Sequence, residues 1–448
     1  MAFFSTVKSA CATVLMVSLG MSLCGQQPGQ PAPPAAAPSA SAPLTITFQE
    51  ALDRARKYGI EIQQANITAL LAREDRIQAK AAMLPQAQSF NQFIYTQPNG
   101  TPSGVFVAND GPHVYSIQAQ AHQDFSLTKY ADYRRTIAAE VVAKAKADVA
   151  ARGLVATTVQ DYYAVVIAQR KLVNAQQTLE DARKFLDITQ KQERGGEAAH
   201  ADVVKAELQV RQHERDVSDA QLAIDKARVA LAVLIFPDFR SDFTAADDLD
   251  QVTPLAPFAE VQDLALSKSP ELRAAHAEIE ASGAEIGVAK AAYLPALSLD
   301  YFYGLNANEV ALYNREHLNL VGSVAQATLT IPVWNWGATS SKVRQAELKV
   351  KQAQLDLSLA QRTLMANLNS FYLEAQLAQA QLDSLRKSVE LSAESLRLTV
   401  LRYQAGEATA LEVVDAQTTL AQARNALDDG LSRYRVAQAN IQTLTGTF

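Results

Sequence analysis

The sequence predicts a mainly α protein with a small β part, built twice over from long coiled-coil hairpins and paired strands. Three observations predict it. The chain matches itself at a shift of 210 residues, as Ala79 against Ala289 shows. Each half carries a long proline-free block, over 113–236 and 333–448, with seven-residue spacing of apolar side chains. Between the helical stretches the period falls to two.

The chain has 448 residues, 48% apolar and 20% charged, which excludes disorder throughout. A net charge of −6 argues against a protein built to hold nucleic-acid phosphates. The two cysteines, Cys11 and Cys24, lie in the first 24 residues, so neither a disulfide framework nor a cysteine-ligated zinc site belongs to the body of the protein. Ala10 to Leu23 form a short apolar run behind Lys8, and residues 1–24 read as a signal peptide. Met21-Ser22-Leu23-Cys24 loosely resembles a lipobox, which makes Cys24 a candidate for lipidation. The Pro- and Ala-rich segment 25–43 reads as a linker. Beyond it no uncharged apolar run reaches the roughly 18–20 residues of a membrane helix.

The duplication sets the domain organisation. Ala79-Lys80-Ala81-Ala82-Met83-Leu84-Pro85 matches Ala289-Lys290-Ala291-Ala292-Tyr293-Leu294-Pro295, and Gly196-Glu197-Ala198 matches Gly406-Glu407-Ala408. The first repeat covers 44–250, with strands expected over about 86–97 and 114–127 and a helical hairpin over about 128–235. The second covers 251–448, with strands over about 296–306 and 318–333 and a hairpin over about 338–445.

Val203, Val210, Val217, Ile224 and Leu231 recur every seven residues, and Val413, Leu420, Leu427, Tyr434 and Ile441 do the same. Ala206, Ala220 and Ala227, like Ala416, Ala423, Gly430 and Ala437, put small residues at the second seam position, where backbones can approach closely. Gly195, Gly196 and Gly406 interrupt these blocks and read as hairpin tips, with positive φ expected at Gly196 and Gly406. Pro85 and Pro295 stop a helix where each first strand begins. Leu297, Leu299, Tyr301 and Tyr303 alternate with Ser298, Asp300 and Phe302, and Tyr115, Ile117, Ala119 and Ala121 alternate with polar neighbours. Asn99-Gly100-Thr101-Pro102 and Asp110-Gly111-Pro112 mark the loop between the first two strands.

A lipid-facing sheet must close, because an open edge leaves backbone groups unpaired in hydrocarbon. About eight strands is the working minimum for a membrane barrel. Four strands per chain therefore imply that two or more chains share one barrel. Trp334 and Trp336 sit at the end of the last strand, where an interfacial girdle places aromatics.

The duplication, the Ala-Lys-Ala-Ala-x-Leu-Pro boundaries, Ile331-Pro332-Val333-Trp334-Asn335-Trp336-Gly337 and the run from Tyr403 through Gly406 to Glu412-Val413-Val414-Asp415-Ala416-Gln417 together resemble the TolC family of outer-membrane efflux proteins. The resemblance covers about residues 44–446. It implies a homotrimer with a 12-stranded membrane β-barrel and an α-helical periplasmic tunnel, that is, an α-barrel/β-barrel with four strands from each chain. It implies a passive export duct in the bacterial outer membrane, serving a tripartite efflux or type I secretion system. The implied partners are outer-membrane lipid, a periplasmic adaptor at the hairpin tips and an inner-membrane pump. The first repeat departs from the pattern, since Phe125-Ser126-Leu127-Thr128-Lys129-Tyr130 lacks the Pro and Gly present at Pro332 and Gly337. The alternative reading is a structural coiled-coil envelope protein without a pore.

The sequence holds no HExxH, GxSxG, P-loop, GxGxxG or EF-hand motif, and its six histidines have no i, i+4 pair. Neither an enzyme nor a cofactor or metal site is expected. The acidic pair Glu412 and Asp415, at i, i+3 just past the Gly406 tip, projects from one helix face. It reads either as a solvated face or, in an oligomer, as a ring of carboxylates favouring cations. The resemblance matches it to the family's pore constriction. It also matches Asp202 and Tyr403 to a pair that holds the tip closed, while the position of a supplementary family arginine is Ala408 here.

Overall fold

A computed structural model describes residues 44–95, 113–238, 242–251, 253–314 and 316–446. The 1–24 segment with Cys24, the 25–43 linker and the turn signals over 99–102 and 110–112 lie outside the described residues. In chain order the elements are β1 (Leu44–Ile46), α1 (Phe48–Tyr58), α2 (Ile60–Ala81), β2 (Gln86–Tyr95), β3 (His113–Ser126), α3 (Leu127–Gly195), α4 (His200–Ile235) and β4 (Phe243–Ala245). There follow α5 (Phe258–Lys268), α6 (Pro270–Ala291), β5 (Ala296–Ala307), β6 (Val321–Thr330), α7 (Ala338–Gln404) and α8 (Ala410–Thr445).

The duplication is visible helix by helix. α1 and α5, α2 and α6, and α4 and α8 begin and end at positions related by the 210-residue shift. α3 has 69 residues and α7 has 67, each about 100 Å of continuous helix. Gly153 lies inside α3 without breaking it. Val203, Val210, Ile224 and Leu231 are buried on α4, as are Val413, Leu420, Tyr434 and Ile441 on α8. Gly430 shows why the second seam position is small, because a Cβ there would lie 2.6 Å from Leu385 Cδ1 of the facing helix.

The four larger strands form one antiparallel sheet in the order β2-β3-β5-β6. The helices joined to them pack in the same order, α2 on α3, α3 on α6 and α6 on α7. Ion pairs stitch that layer: Arg76 to Glu140 at 2.5 Å, Arg152 to Glu271 at 2.8 Å and Lys349 to Glu285 at 2.7 Å. Both margins are bare. β2 and β6 each pair on one side only. α2 has no buried residue and exposes Ile67, Leu70 and Leu71, while α7 exposes Leu348, Leu355 and Leu359.

The two strand-to-helix junctions differ. β3 runs straight into α3, with Ser126 as N-cap accepting the Thr128 N–H at 3.1 Å. β6 ends at Thr330, short of the expected 333, because Pro332 has no N–H to continue the ladder. Residues 331–337 then lead to α7, with Gly337 in the left-handed region at φ 81°.

The main core gathers around a short parallel pair, β1 with β4, that carries no periodic signal in the sequence. Tyr162, buried on α3, donates its hydroxyl hydrogen bond to Ala246 O at 2.7 Å and lies 3.3 Å from Ile46 O. Arg170 binds Asp247, Asp250 and Asp428, tying α3 to the link between repeats and to α8.

Two glycines should respond oppositely to Ala. At Gly59 a Cβ would sit 2.6 Å from Ala55 O and 2.5 Å from Leu154 Cδ2, whereas at Gly153 it meets nothing within 4 Å. Gly59→Ala should destabilise by about 1–3 kcal/mol. Gly153→Ala should stabilise by about 0.5–1 kcal/mol, since helical Gly costs backbone entropy. Denaturation midpoints that shift in the same direction would contradict this packing.

Candidate functional site

The tips are built from two turns of the same design. Gly196 and Gly406 adopt φ 82° and 76°, and Gly195 is the last residue of α3. In the first turn the Glu197 N–H donates to Gln192 O at 2.8 Å and the Gly196 N–H to Glu193 O at 2.9 Å. In the second, Glu407 N–H donates to Arg402 O at 2.8 Å and Gly406 N–H to Tyr403 O at 3.0 Å. This is the closure that satisfies the last carbonyls of a helix with a left-handed residue just past its end. Beneath the turns Phe185, Ala206, Tyr403, Ala410 and Val413 form a small buried cluster, with the Tyr403 ring edge-on to Phe185 at 5.1 Å.

Glu412 is the third residue of α8 and forms a capping box with Thr409. Its carboxylate accepts from the Thr409 N–H and hydroxyl, both at 3.1 Å, and Arg402 Nη1 lies 3.7 Å away. The Thr409 backbone donor, then its hydroxyl, hold the carboxyl below the usual glutamate range, and Arg402 adds to the effect. Asp415 is exposed one turn on, and its carboxylate has no partner among the described residues. Asp202 occupies the third position of α4, the place that Glu412 has on α8.

Asp202 and Tyr403 are not joined in this chain. The Tyr403 hydroxyl is buried and has no hydrogen-bond partner among the described residues. A different side chain bridges the tips: Gln192 Nε2 lies 3.3 Å from Tyr403 O and 3.4 Å from Gln404 O. Thr409-x-x-Glu412 was a readable capping signature, whereas the Gln192 bridge ends on backbone carbonyls and leaves no motif.

At the other end of the helices the sheet sorts its side chains. Odd-numbered residues, including Tyr115, Ile117, Leu297, Leu299, Tyr301, Tyr303 and Leu329, share one face. The even face carries a chain of polar contacts. Gln88 Nε2 donates to Gln120 Oε1 at 2.7 Å, Gln120 to Asp300 at 3.3 Å, and His122 lies 2.6 Å from Asp300 and 3.2 Å from Asp124. Asp124 in turn accepts from Lys129 at 2.6 Å, which also reaches Ala82 O at 3.2 Å. These contacts brace the junction that lacks Pro and Gly. His213, in the α4 seam, is buried between Gln209 and Asp216, each at 3.0 Å. Trp334 and Trp336 are 75% and 89% exposed after β6, with rings 5.8 Å apart.

A family model described as Outer membrane efflux protein matches residues 261–447, the second repeat. Over that repeat the chain is similar to outer membrane efflux proteins. Among similar proteins, the cobalt-zinc-cadmium resistance protein CzcC of Cupriavidus metallidurans is 26% identical over 299 residues, 66% of each chain. The alkaline protease secretion protein AprF of Pseudomonas aeruginosa is 21% identical over 327 residues, 72% of this chain and 67% of its own. Such alignments span about two thirds of these curated relatives' length or less, 56% for the pyoverdine export protein OpmQ of Pseudomonas putida. The fold matches the outer membrane protein VceC of Vibrio cholerae with TM-score 0.75 and 17% identity, over 89% of this chain and 96% of that one. A membrane protein from Pseudomonas aeruginosa matches with TM-score 0.77 and 20% identity, over 89% and 93%. Both solved structures share the overall fold of this chain.

Gly196→Ala and Gly406→Ala should each cost about 1 kcal/mol, from the left-handed backbone alone, since a Cβ at either meets nothing within 4 Å. Gly195→Ala should cost less, and midpoints that rank the three otherwise would contradict the turn geometry. The Glu412 cap is complete above the ordinary glutamate pKa and is lost as pH falls through its lowered value. Amide exchange at the start of α8 should quicken over that acid range, and Glu412→Gln should flatten the dependence.

Proposed function

We propose that three copies of this chain form a passive outer-membrane export duct, the outer component of a tripartite efflux or type I secretion system. One observation carries the reading. The sheet β2-β3-β5-β6 and the layer α2-α3-α6-α7 have the same order and both margins bare. Ring closure, β6 to β2 and α7 to α2 of the next copy, satisfies both at once. Three copies give twelve strands, above the roughly eight a membrane barrel needs. The strands of 10 to 14 residues suit a tilted crossing. The odd face meets lipid, the even face lines the lumen, and Trp334 and Trp336 lie at the interface.

The hairpin tips lie at the far end, in the periplasm, where an adaptor joined to an inner-membrane pump docks around Gly195, Gly196 and Gly406. Glu412 and Asp415 form the constriction there, six carboxylates in the trimer. Asp202 and Tyr403 are the latch positions at these tips, with no hydrogen bond joining them in the present chain. Relatives are named for metal-ion resistance, protease secretion and toluene efflux. Such diverse cargo fits a duct whose selection lies in the pump. Protein-only transport through it needs neither cofactor nor covalent chemistry.

In planar bilayers the channel should be cation-selective and blocked from the tip side by a trivalent cation. Glu412→Gln with Asp415→Asn should abolish the block without changing trimer mass. A double variant blocked as strongly as the wild type would remove these residues from the constriction. A wild type that forms no channel would favour the scaffold reading.

A further inference from the structure

The duplication places Gln192 and Arg402 at the same position of the two tips, as 192 plus 210 gives 402. Their backbones do the same work, since Gln192 O accepts from Glu197 N and Arg402 O from Glu407 N, both at 2.8 Å. Their side chains differ. Gln192 crosses to the second hairpin and donates to the last-turn carbonyls of Tyr403 and Gln404. Arg402 finds nothing comparable among the described residues of its own chain. One donor meets Glu407 O at 3.1 Å, another lies a loose 3.7 Å from Glu412, and the side chain is 54% exposed. A guanidinium has five N–H donors in a fixed fork, so most of its capacity is unused.

In a trimer the six hairpins alternate, first and second, around the axis. The operation that carries a first hairpin onto its own second hairpin carries that second hairpin onto the next subunit's first. Gln192 reaching Tyr403 and Gln404 therefore implies Arg402 reaching the partner subunit's Glu193 and the partner subunit's Arg194, the positions 210 residues earlier. Tyr403 O and Glu193 O already accept a turn N–H, and the second lone pair of each carbonyl is left for such a side-chain donor. We propose that Gln192 and Arg402 form one six-membered girdle that holds the tips closed, Gln192 within each subunit and Arg402 across each subunit boundary.

This inference rests on the trimeric duct reading and adds to it the residues of closure. The girdle stands where the Asp202–Tyr403 bond is unmade and an arginine is absent at Ala408. The Arg402 links are charge-assisted and the Gln192 links are neutral. The tips should then loosen first within subunits and only later between them.

Cysteine pairs in the full-length chain test this with a short bis-maleimide cross-linker, the single variants serving as controls for Cys11 and Cys24. Arg402→Cys with Glu193→Cys should give covalent dimers and trimers on a denaturing gel. Gln192→Cys with Gln404→Cys should stay at monomer size. If the first pair links only within one chain, or not at all, while light scattering still shows a trimer, the girdle is wrong and the duct stands. A wild type that is not a trimer overturns both. In bilayers, Gln192→Ala should raise the closed-state conductance by roughly ten- to a hundredfold, the neutral Gln192 link of every subunit being lost, and Arg402→Ala should raise it further. Unchanged closed-state conductance in both variants, with trimer mass intact, would overturn the proposal.

Discussion

Every part of this structure depends on what becomes of the backbone groups along the outer edges of β2 and β6. Inside one chain each strand uses only one side. In water such an edge is a liability, and in hydrocarbon each unpaired group costs several kcal/mol. The helices repeat the problem with side chains, because α2 and α7 present leucines and isoleucines that no described residue covers. A ring of identical copies resolves both, and the matching order of strands and helices means that one rotation serves for both.

In the proposed trimer the duplication would make that ring nearly sixfold at the tips. Two hairpins with return helices of equal length, the same left-handed glycine and the same turn hydrogen bonds would alternate around it. Small differences between equivalent positions then acquire functional weight. Gln192 and Arg402 differ in charge and reach, and Ala199 caps nothing where Thr409 forms a capping box with Glu412. The capped carboxylate is already fixed at the helix start, its charge favoured by the nearby N–H donors. In the proposed constriction Glu412 is the fixed member of each pair, while Asp415 is exposed without a side-chain partner among the described residues.

Much of this was legible in the sequence because repetition and periodicity are local. The shift of 210 residues located both tips, and the seams of α4 and α8 followed from residues such as Val203 and Val413. The apolar strand face followed from alternation through Leu297 to Tyr303. What was not legible depends on partners far apart. His122 meets Asp300 across 178 positions, a pairing set by strand register rather than by any motif. The β1–β4 pair is three residues long and too short to show a period. Gln192 ends on carbonyls, which no residue type announces. The direct passage from Ser126 into α3 had no Pro or Gly to mark it, and its bracing by Lys129 and Asp124 appears only in three dimensions.

The central claim is that the bare margins of one chain close on two others. The most direct measurement is the molar mass of the detergent-solubilised protein by light scattering, corrected for bound detergent. The account predicts a single species of three chains. A monodisperse monomer, with the outer edges of β2 and β6 exchanging their amide protons freely, would contradict it.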